Sequence, residues 1–463
     1  MKYTQLINKT NKWNEKYFQK TEWEETNNIE GKKVLVEKET YSHFKGLQQE
    51  LKKLGIQIDI ISSYRSIEEQ EQIRKEILLE KKEEYLSNYV ASPQTSEHHT
   101  GLALDIAIIE GNKVLKRDSK EAEEIYQILH QHLNKFGFIV RYPKGKEKET
   151  GYFYKPWHIR YVGEYPATIM MENNLTLEEY LQKFGAVLYI NKPKNLTSFD
   201  VVNEISKQFG IKKVGHTGTL DSLATGVMIV AVGKATKIVE LLTAQDKEYV
   251  SEVQLGIETD TYDIEGEIIN QKEEKKLLPI EKVLKSYQKT YLQEVPIYSA
   301  VKVNGRKLYD YARKKIEVEL PKKEVTIKEI ELLKEEKDSF TFRTLVTKGC
   351  YIRSLIHDIA KTLGTYATMK SLKRTKQGDI PIEKTNTLEE FKKQKAIIHS
   401  IEEVLNYPKV EVDNSLEAKI RNGVKIENKW NMEDKVIFKN KEGILLGIYE
   451  TEGLYLKTWK NFN

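Results

Sequence analysis

Phe44, Leu47, Leu51 and Leu54 recur at helical spacing and are followed by Gly55, which predicts an amphipathic helix with a glycine stop. Ile56, Ile58 and Ile60 then alternate with polar residues, the pattern of a strand, and deliver Ser62-Ser63-Tyr64-Arg65-Ser66 at its end. A second helix is expected from near Ile67, carrying Gln70. Asp118 and Ser119 can cap a helix running through Phe136, with Ile125, Leu129 and Leu133 on its buried face and Gly137 closing it. Residues 138–140 and 157–162 read as strands. The first 183 residues are therefore expected to form an α+β domain.

The pattern restarts at residue 185. Residues 187–190 are a short apolar strand that runs into Asn191-Lys192-Pro193. Thr197 or Ser198 caps a helix whose apolar positions are Val201, Val202, Ile205 and Phe209, with Gly210 as stop. Residues 215–227, Gly-His-Thr-Gly-Thr-Leu-Asp-Ser-Leu-Ala-Thr-Gly-Val, then break the periodicity. Gly215, Gly218 and Gly226 are too many for a helix, and one carboxylate, Asp221, sits at the centre. Residues 227–233 are an apolar run suited to a buried strand, so a glycine-rich loop holds an acid over a strand start. Asp221 is a candidate nucleophile or charge stabiliser, although an Asp in such a loop more often bonds its own backbone in a turn. Residues 248–255 alternate as a strand that includes Tyr249, and short strands recur at 436–438 and 444–449.

Composition narrows the class. A chain of 463 residues is expected to form two or three domains. Apolar residues are 39% and charged residues 31%, and the net charge of +5 permits a nucleic-acid partner without demanding one. A single cysteine, Cys350, excludes an internal disulfide and fits a reducing compartment. The first residues lack an apolar signal core, and no run reaches the ~18 apolar residues of a membrane span. A cytoplasmic protein with no membrane partner is expected; the sequence gives no indication of oligomeric state. Lys/Glu runs at 144–149 and 272–276 are expected to be solvated. No Pro/Gly/Ser linker separates the halves, so the chain reads as two proteins fused with almost no spacer.

Candidate chemistry differs between the halves. In the first, Ser96-Glu97-His98-His99-Thr100-Gly101-Leu102-Ala103-Leu104-Asp105 offers an imidazole and a carboxylate seven positions apart, and His158 comes from a distant strand. Two histidines and a carboxylate can hold a catalytic zinc with a fourth position open. Together with residues 62–66, Gln70, Arg141-Tyr142-Pro143 and Pro156-Trp157-His158, this arrangement resembles the zinc D-alanyl-D-alanine carboxypeptidases of the vancomycin-resistance type over nearly all of residues 5–182. The resemblance implies His98, Asp105 and His158 as zinc ligands and Arg65 as a clamp on the substrate carboxylate. It implies a D-Ala-terminated peptide as ligand. The family carries its general base, a glutamate, three residues before the last histidine; here that position is Lys155. A cationic ammonium cannot accept a proton unless its pKa falls far, a direction in which burial and the metal's charge would both push it, so peptidase activity is expected to be lost or severely weakened unless Glu147 or Glu149 swings inward to substitute.

In the second half, residues 296–309, Pro-Ile-Tyr-Ser-Ala-Val-Lys-Val-Asn-Gly-Arg-Lys-Leu-Tyr, set cations among aromatics, and Arg313, Lys314 and Lys315 follow. Cations pair with phosphates and rings stack on exposed bases, although composition alone equally allows a solvated basic helix–turn. In Lys348-Gly349-Cys350-Tyr351-Ile352-Arg353, Tyr351 and Arg353 would share a face if the segment is a strand, and Arg353 could pair with Asp221. In order and spacing these pieces resemble the bacterial tRNA pseudouridine-55 synthases, over about residues 185–463. The resemblance implies an α+β fold around a mixed sheet, with a catalytic domain at 185–405, a thumb near 298–323 that grips the T-arm of tRNA, and a small RNA-binding β-domain at 408–463. It implies Asp221 as nucleophile, Tyr249 stacked on the target base, Tyr351 moving the C5 proton and Arg353 paired with Asp221. His216 would stand where the flipped nucleotide leaves its stack, Leu372 would line the pocket, and Lys192 joins the substrate-binding set. Ser222 stands where proline is frequent in the family. The isomerisation is redox-neutral, and no phosphate-binding glycine fingerprint precedes a helix, so no cofactor is expected in this half and zinc only in the first. The alternatives are a bifunctional enzyme whose peptidase half still works, or a tRNA-binding and refolding module.

Overall fold

A computed structural model describes residues 3–13, 21–111, 113–273, 279–393, 395–441 and 443–462. Of the second Lys/Glu run, residues 274–276 lie outside the described residues; in the first, Lys144, Lys148 and Glu149 are exposed. The chain divides into two compact units, residues 1–184 with 204–213, and residues 185–203 with 214–463. Among the described residues no helix is long and apolar enough to cross a membrane.

In the first unit, helix α1 (Lys38–Lys53) buries Phe44, Leu47 and Leu51 against strand β1 (Gln57–Ser62), while Leu54 lies beyond the helix and is exposed. Helix α2 (Ile67–Glu80) opens with a capping box between Ser66 and Glu69, which satisfies two helix-end donors reciprocally. Strand β2 (Ala103–Glu110) is the core of the sheet and is buried over six consecutive positions. Helix α3 (Lys120–His130) starts where Ser119 accepts from Ala122 N–H, but it does not run to Phe136. It stops at His130; a separate 3-10 turn over Leu133–Phe136 keeps Leu133 in the same core as Leu129, and Gly137 at φ +74 ends that turn. Strands β3 (Phe138–Val140) and β4 (His158–Tyr161) complete an antiparallel sheet in the order β1-β2-β4-β3, with Lys113–Val114 paired on β2. Helix α4 (Leu177–Lys183) closes the segment.

The second unit is built on a ten-stranded mixed sheet. Strand β5 (Gly185–Lys192) is followed by helix α5 (Ser198–Phe209), where Thr197 Oγ1 accepts from Asp200 N–H and the Asp200 carboxylate accepts from Thr197 N–H. Strand β6 (Val214–His216) leads to the glycine-rich loop, and β7 (Thr225–Gly233) starts two residues earlier than the apolar run indicates. Strands β8 (Lys247–Leu255), β9 (Thr290–Glu294), β10 (Lys322–Glu335) and β11 (Ser339–Val346) precede helix α6 (Ile352–Leu363) and strand β12 (Ala367–Gln377); β13 (Asn386–Thr387) lies at one edge. The order is β9-β10-β11-β8-β12-β7-β5-β13, with β7/β12 and β5/β13 parallel and every other neighbouring pair antiparallel. Helix α6 packs Leu355, Ile356 and Ile359 into a core with Val253, Phe342 and Met369. A five-stranded sheet of residues 409–461 packs Ile437 and Ile448 against Val187 and Ile229 of the main sheet.

The segment 348–353 is not a strand. Gly349 at φ +94 turns the chain out of β11, Tyr351 takes the N-cap position, and Arg353 lies in the first turn of α6. The strand has already ended at Val346; a side chain at this positive φ would be strained, so glycine suits the turn between β11 and α6.

Candidate active site and candidate metal centre

The glycine-rich loop is fixed from both ends before it presents Asp221. At its exit, Gly226 has φ +105, and a Cβ there would come within 2.2 Å of the Arg374 carbonyl oxygen on the parallel neighbour β12. Only glycine allows that approach. The buried Arg374 side chain then donates from Nε to the Val227 carbonyl (2.5 Å) and from Nη2 to the Gly218 carbonyl (3.2 Å), holding both arms of the loop. Beneath it, Lys192 is fully buried and its ammonium donates to the carbonyls of Pro193 (2.9 Å), Leu196 (2.5 Å) and Ser222 (3.4 Å). Burial pushes this lysine down to about 8, against the pull of Asp221. The structure thus places Lys192 under the loop, outside the cavity lining, with its donors committed to backbone. That is a positioning place, not the substrate contact expected of it.

Asp221 faces a cavity of about 330 Å³ with Tyr249, Tyr298, Tyr351, Arg353 and Leu372 on its walls. Arg353 is nearly buried and lies side-on to the carboxylate, with Nε 3.0 Å from Oδ2 and Nη2 3.3 Å from Oδ1. The same guanidinium donates to the carbonyls of Thr261 (3.0 Å) and Tyr298 (3.1 Å), and its Nη1 lies 3.7 Å from Asp263 Oδ2. A planar fork saturated in this way has one orientation available. Tyr249 projects from the central strand β8, and Leu372 from β12 beside it. Burial raises the Tyr351 phenol above its usual range, so it is protonated at neutral pH. His216 on β6 is half-buried, accepts from Gly218 N–H at 3.3 Å, and is pushed down by burial and by Arg374. At the rim, Tyr309 also lines the cavity; Lys307 donates to its hydroxyl (2.9 Å) and Arg313 lies over its ring, while Arg306 lies over Tyr311.

Asp263 and Arg374 escaped the sequence reading. Each meets its partner across long sequence gaps, and neither sits in a pattern that periodicity exposes. Ser222, the residue after the acid, donates to Glu265 Oε2 at 3.2 Å.

In the first unit, Asp105 on β2 and His158 on β4 are directly paired neighbours in the sheet, so their side chains emerge together. His98 arrives on a 3-10 turn, Glu97–Thr100, that ends at Gly101 with φ +69; a Cβ there would strike the Trp23 ring at 2.4 Å. His158 Nδ1 is 2.8 Å from Asp105 Oδ1 and His98 Nε2 is 3.3 Å from Asp105 Oδ2, and the three possible ligand atoms lie within 4.8 Å of one another. The outward nitrogen of His98, Nδ1, meets the Ser63 carbonyl at 2.6 Å, whereas His158 Nε2 lies 3.9 Å from the Glu97 carboxylate, beyond hydrogen-bond distance. The Ser63 contact leaves the inner nitrogen of His98 available to ligate. Burial, then Arg65, pushes His98 down to about 4, which keeps it neutral at pH 7. The donor set fits Zn²⁺.

Arg65 does not stand free to receive a ligand. It donates to Asp105 Oδ2 (2.7 Å), Ser62 Oγ (2.9 Å) and Gln70 Oε1 (3.3 Å). Glu147 accepts from Gly145 N–H within a short helix, Glu147–Thr150, and Glu149 is exposed, so neither is turned toward the histidines as a substitute base. Lys155 is nearly buried, with its ammonium 4.5 Å from the Tyr142 ring centroid and 4.9 Å from that of Tyr152.

Comparison with known proteins follows this division. Residues 206–352 match the TruB family pseudouridylate synthase (N terminal domain), and residues 353–410 match the tRNA pseudouridylate synthase B C-terminal domain. The tRNA pseudouridine synthase B of Clostridium tetani is 40% identical over 286 residues, 60% of this chain and 97% of that protein; the one from Fusobacterium nucleatum is 42% identical over 289 residues, 60% and 99%. The chain belongs to the TruB family of pseudouridylate synthases. The first two family matches contain Asp221, Tyr249 and Tyr351 in one and Arg353 and Leu372 in the other. Residues 33–164 match the D-alanyl-D-alanine carboxypeptidase family, a span that includes His98, Asp105, Lys155 and His158. A solved vancomycin-resistance D,D-pentapeptidase in complex with Zn(II) is 29% identical, covering 39% of this chain and 99% of that one, with a TM-score of 0.34. A TruB-family synthase is thus joined in one chain to a carboxypeptidase-like unit.

Proposed function

We propose that the second unit converts uridine 55 in the T-loop of tRNA to pseudouridine, in the cytoplasm where its substrate is found. The observation that carries this reading is the Asp221–Arg353 ion pair on the floor of a cavity walled by Tyr249 and Tyr351. The reaction breaks the N1–C1′ glycosidic bond, turns the base and remakes the link through C5. It is redox-neutral and needs no cofactor. Asp221 supplies the nucleophilic carboxylate, held to one direction by Arg353. Tyr249 offers a ring on which the flipped base stacks, and Tyr351 is assigned to relaying the C5 proton, its phenol passing its own proton to solvent as it takes the one from C5. A cavity of about 330 Å³ lies in the roughly 300–1,000 Å³ range of small-ligand sites, which suits a single extruded nucleotide. His216, beside the loop, is assigned to the gap left in the RNA stack. Residues 298–323, with Arg306, Lys307 and Arg313 packed on tyrosines, form the thumb on the T-arm, and residues 408–463 a second RNA-binding surface.

The first unit, residues 1–183, is proposed as a zinc-binding, carboxypeptidase-like domain for a D-Ala-terminated peptide. Its hydrolysis is impaired because Lys155 stands in the place of the general base. Zn²⁺ held by His98, Asp105 and His158 would supply a Lewis acid. Arg65 orients Asp105, and Lys155 offers a positive charge where proton abstraction needs a basic group.

Asp221→Ala is the direct test of the synthase reading. It should abolish pseudouridine formation while tRNA still binds in a gel-shift assay; turnover near that of the native chain refutes the assignment.

A further inference from the structure

The buried charges of the first unit are nearly all answered in pairs. Arg141 Nε lies 2.7 Å from Glu97, and its terminal nitrogens hold both oxygens of Glu178 at 2.7 and 2.9 Å. Arg160 Nη1 lies 3.0 Å from Glu97, and Arg65 is bound to Asp105. Lys155 is the exception. It is 9% exposed, and its ammonium has no hydrogen-bond acceptor and no ion-pair partner among the described residues; it rests on the Tyr142 and Tyr152 rings alone. The carboxylate that acts on it most strongly, Asp105, is already committed to Arg65 and His158.

The Lys155 Nζ is not sealed from water, and an ammonium with little hydration and no anion is open to pairing with one. The Tyr142 and Tyr152 faces hold it in part. The ledger of charges shows what is missing. Four cations, Arg65, Arg141, Arg160 and Lys155, face three carboxylates, Asp105, Glu97 and Glu178. A divalent metal on the two histidines would add to the excess. The Tyr142 ring touches both Lys155 and His158 (ring centroids 5.0 Å), so the unanswered ammonium stands one ring away from the candidate metal centre.

We propose that Lys155 binds a small carboxylate ligand beside the candidate metal centre, with the ammonium pairing directly with the carboxylate. One unanswered ammonium offers a partner to one carboxylate. The carboxylate can belong to a free organic acid or to the C-terminus of a short peptide. This rests on the proposed reading of the first unit as a peptide-binding, hydrolytically impaired domain, and it adds that the residue responsible for the impairment is itself the ligand-binding group.

The test is calorimetric titration of the full chain with acetate and with D-alanyl-D-alanine, after zinc loading and again after chelation. Lys155→Met and Lys155→Gln are titrated alongside, and thermal melting reports whether each variant folds. Binding by the native chain should weaken by roughly 10- to 100-fold in both variants, the size of one charge-assisted hydrogen bond. Affinity for acetate as well as the dipeptide assigns the site to carboxylates in general; affinity for the dipeptide alone assigns it to a peptide terminus. No saturable binding by the native chain, or equal affinity in a folded variant, overturns the proposal. D-Alanine release from a D-Ala-D-Ala-ending pentapeptide is followed separately. Release by the native chain refutes the impaired-hydrolase reading, whereas the Lys155 proposal stands or falls on the titrations.

Discussion

A guanidinium carries five N–H donors, and Arg353 distributes them over Asp221 and two backbone carbonyls, with Asp263 as a further carboxylate 3.7 Å away. A lysine could keep the charge but not that fork. Arg353→Lys should therefore lower kcat for pseudouridine formation by about 10²-fold, the scale of a misplaced reacting group, with little change in KM. A fall confined to KM in steady-state kinetics on tRNA would show that Arg353 serves binding, not carboxylate alignment. Asp221 was legible in the sequence because it sits in an unusual stretch of thirteen residues, 215–227. Arg353 was legible as a partner, but its setting was misread: alternation cannot show that the strand stops at Val346 and that a turn through Gly349 at φ +94 leads into a helix. Lys192 shows the opposite limit. Its charge marked it as a ligand for substrate, yet three carbonyls, all within 30 residues of it, absorb its donors.

At the scale of elements, the loop before β7 is held by a contact that only glycine permits. Gly226→Ala would force a Cβ to 2.2 Å from the Arg374 carbonyl at a φ that side chains avoid. A loss of roughly 2–4 kcal/mol in urea unfolding of the second unit is expected, with loss of activity. An unchanged midpoint would mean that β7 and β12 lie farther apart. In the first unit, the turn and paired strands that gather His98, Asp105 and His158 carry a pH signature. His98 is held at about 4 against an ordinary 6.5. As pH falls below 6.5 the unfolded chain takes up this proton and the folded chain resists, so the stabilisation is complete above 6.5 and lost toward pH 4. The loss is roughly 3 kcal/mol. With chelator present, the melting transition of this unit should fall between pH 7 and 4.5, and His98→Asn should flatten that slope. Parallel slopes for the two proteins would contradict the burial of a neutral His98.

At the scale of the whole molecule, two sets of residues with no member in common serve two chemistries. His158→Ala should leave pseudouridine formation within about twofold of the native rate, as expected for sites that share no partners. A larger fall in the rate assay would reveal coupling between the units. The α+β class and the run of strands and helices were readable from period and glycine stops, because those patterns are local. Strand order was not. The parallel pairing of β7 with β12 joins residues nearly 150 positions apart, and Arg374 acquires its role only through that pairing. The match of residues 353–410 to the tRNA pseudouridylate synthase B C-terminal domain begins at Arg353 itself. The central claim is that the Asp221 cavity acts on one uridine of tRNA. Its most direct measurement is mass-spectrometric mapping of pseudouridine in an unmodified tRNA transcript after incubation with the chain. The account predicts pseudouridine at position 55 alone with the native chain and none with Asp221→Ala; modification elsewhere, or at 55 with the alanine variant, would contradict it.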